Sequence, residues 1–181
     1  MKNPRPTSLI LLCTAMALGL CAVGARAQET TRPVQLALFH PVQIFPRTTS
    51  ISGVRLNLIY GVNQNVTGLD LGLVNQTDGS GVGLQHGFVS MTKGDFLGWQ
   101  DSFVSVTGGR FNGLQTGFYN QTKTATGIQW GVVNTSQSFN GLQFGLVNIT
   151  RAMNGLQIGL VNAIMDKEHL PVLPLVNWRF Q

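Results

Sequence analysis

Four phrases stand in line near the C-terminal end: GLQTGFYN (113–120), GIQWGVVN (127–134), GLQFGLVN (141–148) and GLQIGLVN (155–162). They are one eight-residue unit, G-Φ-Q-x-G-Φ-Φ-N, where Φ is apolar and x varies. Worked outward, the unit recurs with its first glycine at Gly53, Gly68, Gly83, Gly98, Gly113, Gly127, Gly141 and Gly155, at four intervals of 15 residues and then three of 14. Two copies are worn: GVRLNLIY, with Asn57 and Tyr60 at the second-glycine and asparagine positions, and GWQDSFVS. LPVLPLVN, from Leu170, reads as a ninth copy with Pro174 at the second-glycine position. A fixed short period over most of a chain is the signature of a repeat architecture.

Other columns run with the glycines. Asp70, Gln85, Gln100, Gln115, Gln129, Gln143 and Gln157 share one position. Asn75, Ser90, Ser105, Asn120, Asn134, Asn148, Asn162 and Asn177 share another, and Thr77, Thr92, Thr107, Thr122, Ser136 and Thr150 follow two residues later. Two residues before the first glycine stand Val66, Phe96, Phe111, Ala125, Phe139 and Met153. Within a unit the alternation is that of a strand: Leu142, Phe144 and Leu146 share one face and Gln143, Gly145 and Val147 the other. Two glycines in each unit would cost a helix about 2 kcal/mol relative to alanine.

The fold class expected is therefore all-β, as a β-solenoid of about nine repeats of 14–15 residues. Coils stacked in register place like on like, so that glutamine and asparagine ladders bond along the axis while the aliphatic residues stack inside. The alternative is an antiparallel outer-membrane β-barrel of about ten strands, with the Leu-x-Leu face toward lipid. The closing alternation Val176, Trp178, Phe180 resembles the terminal strand signal of such barrels, although Gln181 follows. Against the barrel, every connector has nearly the same length and carries the same threonine, whereas a barrel's natural unit is a hairpin of about 30 residues. His86, Asp101 and Thr116 would also face lipid in three successive strands.

The ends carry different information. Lys2 and Arg5, an apolar run of 15 residues from Leu9 to Val23, and Ala25-Arg26-Ala27 have the order of a signal peptide cleaved before Gln28. The run is short for a membrane span. Cys13 and Cys21 fall in that segment, so the mature chain has no thiol; Leu20 before Cys21 argues against lipidation there. Losing Lys2, Arg5 and Arg26 leaves nine basic against seven acidic residues, a net charge of +2. That is no basis for nucleic-acid binding, and no basic cluster with interleaved aromatics occurs. The domain reading is a signal peptide over 1–27, a leader and capping strand over 28–52, and the β-repeat domain over 53–181. Val34 to Phe45 is rich in strand formers and suits a cap; Pro171 and Pro174 suit a last coil or an edge.

GLQxGLVN, the opening GVRLNLIYGVNQNVTGLDLGLVN and the ending LPVLPLVNWRF together resemble a family of bacterial surface-repeat proteins first noted in spirochaetes. The resemblance covers roughly Val34 to Phe180. It implies a signal peptide and a cell-envelope location, and it carries over no activity, catalytic residue or ligand.

The chemistry expected is sparse. No residue is assigned to catalysis, a cofactor or a metal: His40, His86 and His169 lie far apart, and the glycines never take the strand–loop–helix context of a phosphate site. One polar cluster stands out. His86, Asp101 and Thr116 occupy one repeat position in three neighbouring copies and would be about 5 Å apart in a stack. A histidine–carboxylate pair can orient an imidazole as a base, but Ser102 follows Asp101 directly and points to the other face. The cluster reads as a self-satisfying polar patch. The N-x-[ST] matches at Asn65, Asn75, Asn120, Asn134 and Asn148 follow from the repeat and its turn chemistry. Trp99, Phe118, Trp130 and Phe144 are read as core or lipid-facing packing. The function expected is an exported cell-envelope or surface protein with a structural or interaction role. Its partner would be a protein or envelope component, with association at the outer membrane; a small pore or anchor is the alternative.

Overall fold

A computed structural model describes residues 30–180. The expected signal peptide, its cleavage site and both cysteines lie outside them. Eight strands form one sheet in chain order except at the start, β2-β1-β3-β4-β5-β6-β7-β8: β1 (Thr31–Phe39), β2 (Val42–Gln43), β3 (Ser50–Asn63), β4 (Val66–Thr77), β5 (Gly81–Thr92), β6 (Phe96–Phe144), β7 (Val147–Ile164) and β8 (Val172–Arg179). From β1 to β7 the neighbours are parallel except for the short β2 beside β1. First glycine pairs with first glycine, as in Gly68 with Gly83 and Gly141 with Gly155. The chain is a β-solenoid of about nine turns. The barrel is excluded, because a barrel's consecutive strands run antiparallel and these run parallel.

The first glycine of each unit is held by geometry. From Gly53 to Gly155 its φ lies between 116° and 151°, a region L-residues avoid. A Cβ on Gly127 would stand 2.1 Å from the Gly113 carbonyl oxygen of the turn below.

The interior corrects one expectation. The aliphatic residues do not stack inside; the amides do. Gln85, Gln100, Gln115, Gln129, Gln143 and Gln157 are buried. Each donates its Nε2 to the Oε1 of the glutamine one turn nearer the N-terminus, at 2.6–2.8 Å, and Gln85 ends the chain on Asp70 Oδ2 at 2.8 Å. The asparagines run the other way: Asn120, Asn134 and Asn148 donate to the Oδ1 of the next asparagine toward the C-terminus, at 2.7–2.9 Å. Two ladders of opposed amide dipoles thus lie side by side. Across the interior, Thr107 and Thr150 donate to Gln100 and Gln143 of their own turns. One apolar column completes the core: Phe96, Phe111, Ala125, Phe139, Met153 and Ile164. Buried amides are tolerated because each donates a hydrogen bond, with only the oxygens of Asn57, Asn120 and Gln157 left without a partner among the described amides, and a chain of such bonds is mutually polarising.

Why the leucines are outside follows from space. A Cβ on Gly131 or Gly145 would meet the amide nitrogen of the asparagine one turn below, at 2.5 and 2.6 Å. The inner wall beside the asparagine ladder has room for a glycine and nothing larger. Leu142 is therefore half-buried, and Phe144 and Leu146 face outward. Trp99, Phe118, Trp130 and Phe144 are likewise exposed rather than core.

The worn copies are compensated. Ser102 occupies a second-glycine position, and the asparagine position one turn below holds the shorter Ser90; their hydroxyls bond at 2.5 Å. In the first copy an extra residue shifts the register, so Gly61, not Tyr60, pairs with Asn75. Asn57 then turns its side chain into the asparagine column and donates to Asn75 Oδ1 at 2.7 Å. Gly61 leaves it room: a Cβ there would stand 1.8 Å from Asn57 Oδ1.

Both ends are closed. At the N-terminal end the first half of Val34 to Phe45 adds a further turn, with Gln35 paired beside Arg55 in the glutamine column. Gln35 turns its amide onto the Phe45 backbone, accepting from its N–H at 3.0 Å and donating to its C=O at 2.9 Å. LPVLPLVN is not a ninth coil. β8 runs antiparallel to β7, with Asn177 opposite Gln157, so it covers the last turn as an edge strand. Its two prolines suit that position, since they lack N–H donors.

Candidate functional site

The widest variation in residue chemistry between copies lies on two outward columns. The x position holds Leu56, Leu71, His86, Asp101, Thr116, Trp130, Phe144 and Ile158; two residues on stand Leu58, Leu73, Phe88, Phe103, Phe118, Val132, Leu146 and Leu160. Because successive residues of a strand alternate sides, these two columns share the outer face, with the second-glycine column between them. Those glycines offer no outward side chain, so the floor between the columns is backbone.

The result is two apolar grooves along one side of the solenoid. One, of about 790 Å³, is lined at the N-terminal end by Leu36, Leu38, Val42, Ile44, Leu56, Leu58 and Leu71. The other, of about 970 Å³, is lined by Trp99, Trp130, Phe144, Leu146, Ile158 and Leu175 among others, with Asp101 and Thr116 also on its wall. Between them the outer column is aromatic: Phe88, Phe103 and Phe118 stack nearly parallel, with centroids 4.9 and 4.8 Å apart. Beside this stack lies the polar cluster expected from the sequence.

The structure brings that cluster together. His86 Nδ1 lies 2.9 Å from Asp101 Oδ2. The Thr116 hydroxyl donates to Asp101 Oδ1 at 2.5 Å and accepts from Trp99 Nε1 at 3.0 Å. The His86 side chain is 59% exposed and that of Asp101 36%, so the pair sits on the outer wall, not inside the coil. Ser102 is buried against Ser90 on the other side of the strand. The serine is therefore no nucleophile for this imidazole, and the arrangement is a hydrogen-bonded polar step in an otherwise apolar face. No group of three or more His, Cys, Asp or Glu residues with metal-binding proximity occurs among the described residues.

Charge collects on the opposite wall. The glutamine and threonine positions face each other across the interior, so the connector residue after threonine lies half a turn from the x position. There Asp78 pairs with Arg47 at 2.5 Å and Lys93 at 2.6 Å, and Asp95 with Arg110 at 2.8 Å. Burial opposes ionisation of Asp78, but hydrogen bonds from Lys93, Gln76 and Arg47 outweigh it and hold the carboxyl well below the usual range. Asp95 is lowered too, by the backbone N–H and then the side chain of Arg110. The outside of the solenoid is thus amphipathic across its width.

One buried feature was not singled out from the sequence. Arg55, fully buried at a glutamine position, grips Asp70 through Nε and Nη2 at 2.7 and 2.6 Å and donates Nη1 to the Gln76 carbonyl at 2.7 Å. The signal was present: an arginine and an aspartate hold the glutamine position in successive copies. Comparison with protein-family models, curated proteins and solved structures finds no match.

Proposed function

We propose that this chain is an exported, non-catalytic cell-envelope protein of the surface-repeat kind, whose solenoid presents its apolar outer face to a partner. The observation that carries the reading is the placement of large apolar side chains on the outside. Trp130, Leu160 and Leu58 are 61%, 60% and 70% exposed, on a face that continues over most of the solenoid's length. Monomeric soluble proteins rarely expose continuous apolar areas beyond a few hundred Å² without a use for them. Scattered exposed leucines would mean little; two registered columns are a surface.

Export is supported by the signal-like segment before Gln28 and by the lack of cysteine after it. A scaffold role is supported by the interior, where every turn is tied to the next by side-chain amides. The His86–Asp101 pair is tied onward to Thr116 and through it to Trp99, a self-satisfied network on an open wall that supports a non-catalytic reading. The test is expression of the full chain in a Gram-negative host, followed by N-terminal sequencing and fractionation. Processing before Gln28 and recovery with the envelope are expected; an unprocessed chain in the cytoplasm would overturn the reading.

A further inference from the structure

We infer that the occupant of the apolar face is a second copy of this chain, docked face to face and antiparallel about a two-fold axis between the turns of His86 and Asp101. The inference rests on the reading of that face as a binding surface. Its argument is the pattern along the face: an apolar groove, then His86, then a second apolar groove whose near edge is formed by Asp101 and Thr116. A two-fold axis at mid-length lays the N-terminal groove of one copy against the C-terminal groove of the other. His86 then meets Asp101 of the partner subunit, twice over, so that the hydrogen-bonded polar steps of the two copies lie against one another when water leaves. The flat Phe88–Phe103–Phe118 stack lies beside the axis and packs against itself.

Other occupants fit less well. A bilayer would bury the His86–Asp101 pair in the middle of the contact with nothing polar opposite to meet its remaining donors and acceptors. An acyl chain could fill one groove but not both, since the polar step interrupts them. A second copy also matches in size. Nine turns at ~4.8 Å give a length of ~43 Å, and five strand residues give a width of ~16 Å. The projected footprint is ~700 Å² on each copy, and the grooves add to it; a stable pair buries about 800 Å² on each side.

Sedimentation of the chain lacking residues 1–27, which retains every described residue, tests this. A dimer is expected at micromolar concentration in buffer without detergent. Phe103→Asp should weaken it about a hundredfold or more, with the far-ultraviolet dichroism unchanged. His86→Asp should do the same by setting carboxylate against carboxylate across the axis, and adding Asp101→His should restore the dimer by exchanging the two members of the pair. Lys123→Asp, on the charged wall, should leave it unchanged. A folded monomer at 100 µM (about the top of the accessible range) overturns the dimer. If that monomer floats with vesicles of three parts phosphatidylethanolamine to one of phosphatidylglycerol, the face is a membrane surface. If it binds neither itself nor vesicles, the reading of the face as a binding surface falls as well.

Discussion

Replacing Asp70 by glutamine writes the repeat's own residue into its own column, and it should still be one of the most damaging single changes in the molecule. Asp70 accepts two bonds from Arg55, at 2.7 and 2.6 Å, and one from Gln85 at 2.8 Å. The Arg55 side chain has no exposed surface and that of Asp70 is 3% exposed. With glutamine at 70, the guanidinium remains buried opposite a neutral amide, and breaking one side of a buried pair costs about 3–5 kcal/mol. The double change Arg55→Gln with Asp70→Gln removes both charges and extends the glutamine ladder by two turns. It should recover most of that loss, giving a coupling of at least about 2 kcal/mol in a double-mutant cycle. Because stacked turns unfold as near-neighbour units, the loss should be local. Native-state hydrogen exchange should report it in β3 to β5 and barely register it in β7. Equal stability of the single variant and the parent would refute the reasoning. So would a double variant no better than the single, since the column would then not tolerate the repeat's own residue.

Gly127→Ala should cost about 3 kcal/mol or more, because φ is 129° and the new Cβ would stand 2.1 Å from the Gly113 carbonyl oxygen; urea unfolding measures it. Ser90→Asn should cost about 1–3 kcal/mol by crowding the Ser102 Cβ, and adding Ser102→Gly should remove the penalty, again by urea unfolding. Asp78 and Asp95 are both held below the usual carboxylate range. Their contribution is complete above an unfolded pKa of about 4 and is lost as pH falls through the lower folded values. The melting temperature should gain nothing from these groups between pH 7 and about 4 and should decline below that. Asp78→Asn should soften the acid decline.

Period, strand character and parallel stacking were legible because they depend only on spacing, and Gly53 to Gly155 keep that spacing over eight copies. The proximity of His86, Asp101 and Thr116 followed from register alone. Which face points inward did not. Alternation separates Gln143 from Leu142 and Phe144, but transfer preference alone would bury the leucine and phenylalanine. What decides otherwise is the inward crowding at Gly131 and Gly145, together with the ability of an amide column to satisfy itself, and both appear only when turns are stacked. LPVLPLVN misled for a related reason: its letters fit the repeat, yet Pro171 and Pro174 cannot donate to a parallel neighbour, and the segment turns back to lie antiparallel on β7. Gln35 escaped notice because no glycine precedes it; Pro33 stands at that position, under Gly53.

The division between inside and outside also explains where this chain can store information. An inward position is constrained by the turns above and below, so a change there must be answered by its neighbour, as Ser102 is by Ser90 and Arg55 by Asp70. The glutamine and asparagine columns are monotonous for that reason. The outward x column has no such constraint and runs Leu, Leu, His, Asp, Thr, Trp, Phe, Ile through eight copies. If that column only separated solvent from backbone, polar residues would serve it better and would not aggregate. It is apolar at both ends and polar once, at mid-length, where His86 and Asp101 pair. A featureless apolar partner would give no reason for the polar step, whereas the second copy proposed above carries the same step. The interior therefore fixes a ruler, and the outer column is where the proposed recognition would be written.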